Sequence, residues 1–173
     1  MVMETLGITV ISLYLLATLT YIAYFIKQGR PWDFAPSLVL ALGAVLHFIY
    51  IVLLTKAIGR FPILSVFEVL TSATFLFASV YLILEYSIKD KSMGVLIAPI
   101  LLFFQIIAVT GIDTAPKAMP PQLSQLSGLS FRIHVVFMLL AYSGFAIAFI
   151  ASAMHLLLAR EIHQKRLGFR RTR

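Results

Sequence analysis

PSLVLALGAVLHFIYIVLLTKA, Pro36 through Ala57, decides the fold class: between Leu38 and Leu54 its only nitrogen-bearing side chain is that of His47. About 20 consecutive apolar residues in a helix match the ~30 Å hydrocarbon core of a bilayer. The run is apolar around its whole circumference. That is the pattern of a helix surrounded by lipid and other helices, not of one lying on a soluble core.

Comparable runs stand on both sides. The first extends from about Thr5 to Ile26, the third from about Ile63 to Glu85, the fourth from about Met93 to Thr110 and the fifth from Phe131 to about Ala159. Together they predict an all-α polytopic membrane bundle of about five transmembrane helices, forming a single transmembrane domain. Only 12% of residues are charged, against about 25% in soluble domains, and the mean hydropathy is +0.98, so lipid is the expected solvent. The fourth run is the shortest. With Pro99 and Gln105 inside it, a tilted, kinked or partly re-entrant segment is expected. The longest connection, residues 111–130, contains Pro116, Pro120, Pro121 and Gly128 and should be irregular. No internal repeat is evident.

Glu4 precedes the first apolar run where a secretory signal would carry basic residues, and no small-residue cleavage pattern closes the run; a retained helix is expected. The absence of cysteine excludes disulfides, thiolate metal sites, covalent haem attachment through this chain and thiol redox chemistry. Much of the net charge of +7 sits in the C-terminal tail rather than on a base-reading face, so nucleic acid is not expected as a partner. When loops are assigned alternately to two sides, one side holds ten basic residues: Lys27, Arg30, Lys89, Lys91, Arg160, Lys165, Arg166, Arg170, Arg171 and Arg173. The other holds four, Lys56, Arg60, Lys117 and Arg132. The positive-inside rule then predicts an outside N-terminus and an inside C-terminus, with residues 160–173 as a basic cytoplasmic tail.

Five residues are candidates for binding. His47, near mid-membrane, needs a partner or a ligand; its ring leans over Gly43 and Ala44, which leave room for a flat ligand or for a close helix. It is either an axial metal ligand or a neutral imidazole hydrogen-bonded to a neighbouring helix. His134, one turn into the fifth run, leans toward the outer boundary and is either a ligand or an interfacial residue. Arg132 lies beside it, and Arg60 and Glu68 stand near the same outer face, where the guanidinium groups suit carboxylates such as haem propionates or another anion. Glu68 is equally suited to pairing with Arg60 or Arg132. His155 and His163, at the inner boundary, are not expected to bind metal. Gly144, Ala148 and Ser152 form a small-residue face suited to helix packing.

Two segments carry a family resemblance. Gly59-Arg60-Phe61-Pro62 is followed by Glu68 and Leu70; His134 through Tyr142 and Phe145 is followed by Leu156-Leu157-Leu158-Ala159-Arg160-Glu161 and a basic tail. Over roughly residues 40–168 the chain resembles the N-terminal half of CcsA/CcmC-type (HemX-like) cytochrome c assembly membrane proteins. The resemblance implies haem as the bound group, His134 as the first outer haem-ligand histidine, and other cytochrome c assembly components as partners in the cytoplasmic (inner) membrane. The family's tryptophan-rich segment and second outer histidine are not matched here, Trp32 being the only tryptophan. A truncated, split or shortened member is therefore expected, with a partner polypeptide supplying the missing half. The expected role is to hold or present haem, not to act as an enzyme. The other readings are a small transporter or accessory subunit for a different anionic ligand, and a nonfunctional fragment.

Overall fold

The computed structural model describes residues 2–26, 33–112 and 128–170, excepting the side chains of 161–162 and 164–170. Five helices account for nearly all of these residues: α1 (Val2–Ile26), α2 (Ala35–Ile58), α3 (Val66–Ile88), α4 (Gly94–Gly111) and α5 (Leu129–Arg170). Each is long and apolar enough to cross a membrane. A helix closes its backbone hydrogen bonds within itself, which the bilayer interior demands of any spanning segment.

The ends follow local chemistry. Gly59 terminates α2 with φ 72°, a left-handed conformation that glycine adopts without a Cβ penalty. α3 begins at Val66, three residues after the expected Ile63, because residues 59–65 form a tight corner ending in the Ser65 cap. Ser65 Oγ accepts the Glu68 N–H, and the Glu68 carboxylate accepts the Ser65 N–H in return. At the far end of α3 the Lys89 N–H donates to Glu85 O at 2.8 Å.

α4 is one continuous helix. Its 18 residues give about 27 Å of rise, and Pro99 lies close enough to the N-terminal turn to free only the carbonyl of Val95. α5 runs unbroken to Arg170, so the expected tail beyond Ala159 continues the helix. The positions expected in connections and at the C-terminus (Lys27, Arg30, Trp32, Pro116, Lys117, Pro120, Pro121, Arg171 and Arg173) lie outside the described residues.

α1 packs on α2 and α4, and α3 packs on the same two, closing a ring of four helices with antiparallel neighbours. α5 stands outside this ring, against α3 and marginally against α4. The ring's centre takes Val10, Tyr14, Ala17 and Tyr21 from α1, spaced three and four apart on one face. Leu40 and Leu54 meet them from α2, Phe77 and Tyr81 from α3, and Ile97 and Leu101 from α4. Large apolar side chains such as Leu15, Phe48, Ile83, Phe103 and Phe149 point outward, as lipid-facing positions do.

Candidate functional site

Four helices each send one polar group into the centre of the ring. Tyr14 Oη lies 2.8 Å from His47 Nδ1, His47 Nε2 lies 2.9 Å from Thr71 Oγ1, and the Thr71 hydroxyl donates to Gln105 Oε1 at 3.1 Å. Thr71 has one proton and gives it to Gln105, so it must accept from His47. With Gln105 Oε1 facing Thr71, this order makes His47 the Nε2–H tautomer with Tyr14 donating to Nδ1; turning the Gln105 amide over would reverse it. The imidazole is fully buried, with Tyr14, Tyr50 and Phe75 rings around it at 5.7, 6.2 and 5.9 Å between centroids. Of the two uses expected for the space beside Gly43, the structure has the close helix. Tyr14 occupies it, 3.0 Å from where a Cβ at Gly43 would stand. His47 has no free lone pair for a metal, so ligation would require dismantling its bonds to Tyr14 and Thr71.

One donor in this hydrogen-bonded series stays open. Gln105 Nε2 is buried without a hydrogen-bond partner, an exception to the rule that buried polar groups are satisfied.

Arg60 and Glu68 come together at the corner between α2 and α3. Arg60 Nη1 donates to Glu68 Oε2 at 2.7 Å and Nη2 to Oε1 at 2.8 Å, a two-pronged pair with side chains 14% and 6% exposed. Glu68 Oε2 also accepts the Leu64 N–H at 2.9 Å, and Ser72 Oγ donates to Pro62 O at 3.1 Å. The Gly-Arg-Phe-Pro segment is thus a braced corner. Gly59 turns the chain and the Arg60–Glu68 pair locks the turn to the start of α3. Removing one member of a buried pair strands the other charge, at a cost of about 3 kcal/mol or more.

His134 stands apart from both groups. It is exposed near the start of α5, and no hydrogen bond to its ring forms among the described residues. Helix connectivity puts it at the same end of the bundle as the Arg60 corner. Arg132, also exposed, sits half a turn before it, its backbone N–H donating to Gly128 O at 3.3 Å. Among its described side chains, α5 is buried only along Val135, Leu139, Ser143, Ile147 and Ile150. The opposite face, which carries His134, Phe137, Ala141, Phe145, Ala148 and Ser152, is open. The small-residue face suited to helix packing therefore points away from the other four helices: a Cβ at Gly144 would meet nothing within 4 Å. His155 and His163 are exposed toward the other end of α5, with His163 Nδ1 3.2 Å from Ala159 O. No three metal-ligating side chains converge among the described residues.

A second polar cluster was not foreseen from the sequence, where Glu85 marked only the end of an apolar run. Its carboxylate is 4% exposed; Tyr21 Oη donates to Oε2 at 2.5 Å and Ser37 Oγ donates to Oε1. Tyr81 packs edge-on against Tyr21, its hydroxyl buried without a partner. Gly94 lets these two rings reach the start of α4, since a Cβ there would collide with Tyr21. The available signal was the recurrence of Tyr14 and Tyr21 seven residues apart on one helix face.

Comparison with family models, with curated proteins and with solved structures finds no match for the chain in any of the three.

Proposed function

We propose that this membrane protein handles haem for cytochrome c biogenesis, holding or presenting it near the outer face as non-enzymatic cargo through His134. The observation that carries the reading is the state of His134. It is the histidine at the Arg60 end of the bundle, its ring is exposed and takes no hydrogen bond among the described residues, and it stands on a helix face that the other described residues leave open. An exposed imidazole offers a nitrogen lone pair for axial ligation of haem iron.

Within this reading Arg60 and Glu68 serve to fix the corner, and His47 holds the bundle together. The resemblance of the Gly59–Leu70 and His134–Glu161 segments to the CcsA/CcmC-type family supports haem as the cargo. A single histidine makes half a site. The opposite ligand is assigned to a second polypeptide, which the open face of α5 would receive in the inner membrane.

Coexpression tests this. Haem occupancy is read by optical spectroscopy for the isolated chain and for its complex with a tryptophan-rich second half of the family, each with His134 intact and with His134→Ala. The complex should show the largest His134-dependent Soret signal. Equal haem content in the isolated wild type and its alanine variant, with no gain from the partner, would overturn the reading and favour an accessory subunit for another ligand.

A further inference from the structure

The seam between α2 and α3 is incompletely filled. At the Lys89 end a cavity of about 770 Å³ is bordered by Ser37, Ala41, Leu82, Glu85, Lys89 and Lys91. Ala41 and Leu82 also border a second cavity of about 480 Å³, which continues along Ala44, Phe48, Phe75 and Ser79. The two form one open groove, created where small residues on α2 and α3 face each other. From Ser37 to Phe48 the groove follows about 16 Å of helix rise. That is close to half of a ~30 Å hydrocarbon core, the depth of one leaflet.

The ends of the groove differ in chemistry. The inner stretch is apolar apart from Ser79. At the mouth, Lys89 and Lys91 present ammonium groups, Lys91 Nζ also donating to Asp33 O at 2.6 Å and lying 5.9 Å from the Tyr24 ring centroid. The carboxylate bordering the mouth, Glu85, is turned inward, both oxygens taken by Tyr21 and Ser37. Asp90, next in the chain to Lys89, is engaged by the backbone and hydroxyl of Ser92.

We infer that this groove is a binding site for an anionic phospholipid of the leaflet at the Lys89 end, one acyl chain lying along Ala41, Ala44 and Phe48 and the phosphate between Lys89 and Lys91. Two ammonium donors at the mouth of a one-leaflet apolar slot suit that amphiphile's phosphate, and the slot matches its acyl chain in length. A zwitterionic lipid fills the slot but gains less at the mouth, and a free phosphate gains the mouth but leaves the slot empty. The inference is independent of haem.

Native mass spectrometry of the full chain, released from micelles containing equal phosphatidylglycerol and phosphatidylcholine, tests it. Phosphatidylglycerol should be retained at least fivefold over phosphatidylcholine. Lys89→Asn with Lys91→Gln should abolish that preference; asparagine suits the left-handed backbone at Lys89 (φ 60°). Ala41→Leu, which fills the groove and leaves both charges, should lower retention of both lipids. Glycerol 3-phosphate, a headgroup without acyl chains, should not displace the bound lipid. Circular dichroism and gel filtration establish that each variant is folded. Retention unchanged in the folded Ala41→Leu variant, equal retention of the two lipids by the wild type, displacement by glycerol 3-phosphate, or a second copy of the chain in place of lipid would each overturn the assignment.

Discussion

His47 illustrates how a polar residue in lipid is made tolerable. An imidazole at mid-membrane has no water to satisfy it, and here Tyr14 and Thr71 take both nitrogens while three aromatic rings enclose it. Interhelical hydrogen bonds in membranes contribute about 0.6 kcal/mol each on average, so the bonds alone stabilise modestly. Their removal costs more than that, because a truncated side chain leaves a cavity and strips the buried Tyr14 hydroxyl of its partner. His47→Ala should therefore destabilise the bundle by about 2–4 kcal/mol, measured by denaturation in micelles, while Tyr14→Phe should cost about 1 kcal/mol or less. A His47→Ala protein as stable as wild type would mean that the network does not hold the ring together. The sequence showed that His47 needed a partner and left open whether the partner was a metal or a helix. The partner side chains lie 33 and 24 residues away in sequence, and no local pattern connects them.

The helices themselves were legible because a spanning segment is encoded locally: length, apolarity and terminal punctuation all lie within it. Where boundaries moved, the cause was side-chain chemistry at the ends. Pro62 and Ser65 delayed α3, and the segment beyond Ala159 kept to helix although its composition had turned basic. Glycines separate interior from exterior faces of the elements. Gly94 has Tyr21 and the Tyr81 hydroxyl against it, while Gly144 on α5 has open space. Gly94→Ala should consequently displace α4 from α1 and lower the unfolding temperature in micelles. Gly144→Ala should leave the isolated chain's stability within ~1 kcal/mol of wild type or raise it slightly, since alanine favours helix. Equal destabilisation by both would show that the open face of α5 is packed in the isolated chain. If that face receives the second polypeptide, Gly144→Ala should weaken copurification with it while sparing the monomer.

At the scale of the molecule, a ring of four antiparallel helices with a fifth outside it has its two ends distinguished by chemistry: a braced Arg60–Glu68 corner with Arg132 and His134 at one, Glu85 and the lysines at the other. Assigning the second end to the cytoplasm rests on the ten-to-four division of Lys and Arg. A reporter that functions only in the cytoplasm should be active when fused after Arg173, and activity solely of an export-dependent reporter at that position would reverse the topology. The sequence by itself determined the solvent and the helix count, because hydropathy acts within a few residues of chain. Tertiary structure alone decided that Tyr14, His47, Thr71 and Gln105 form one chain of hydrogen bonds and that α5 turns its small-residue face away from the ring. Those facts depend on which helix lies beside which, and helices that are apolar all round carry almost no local signal of their neighbours.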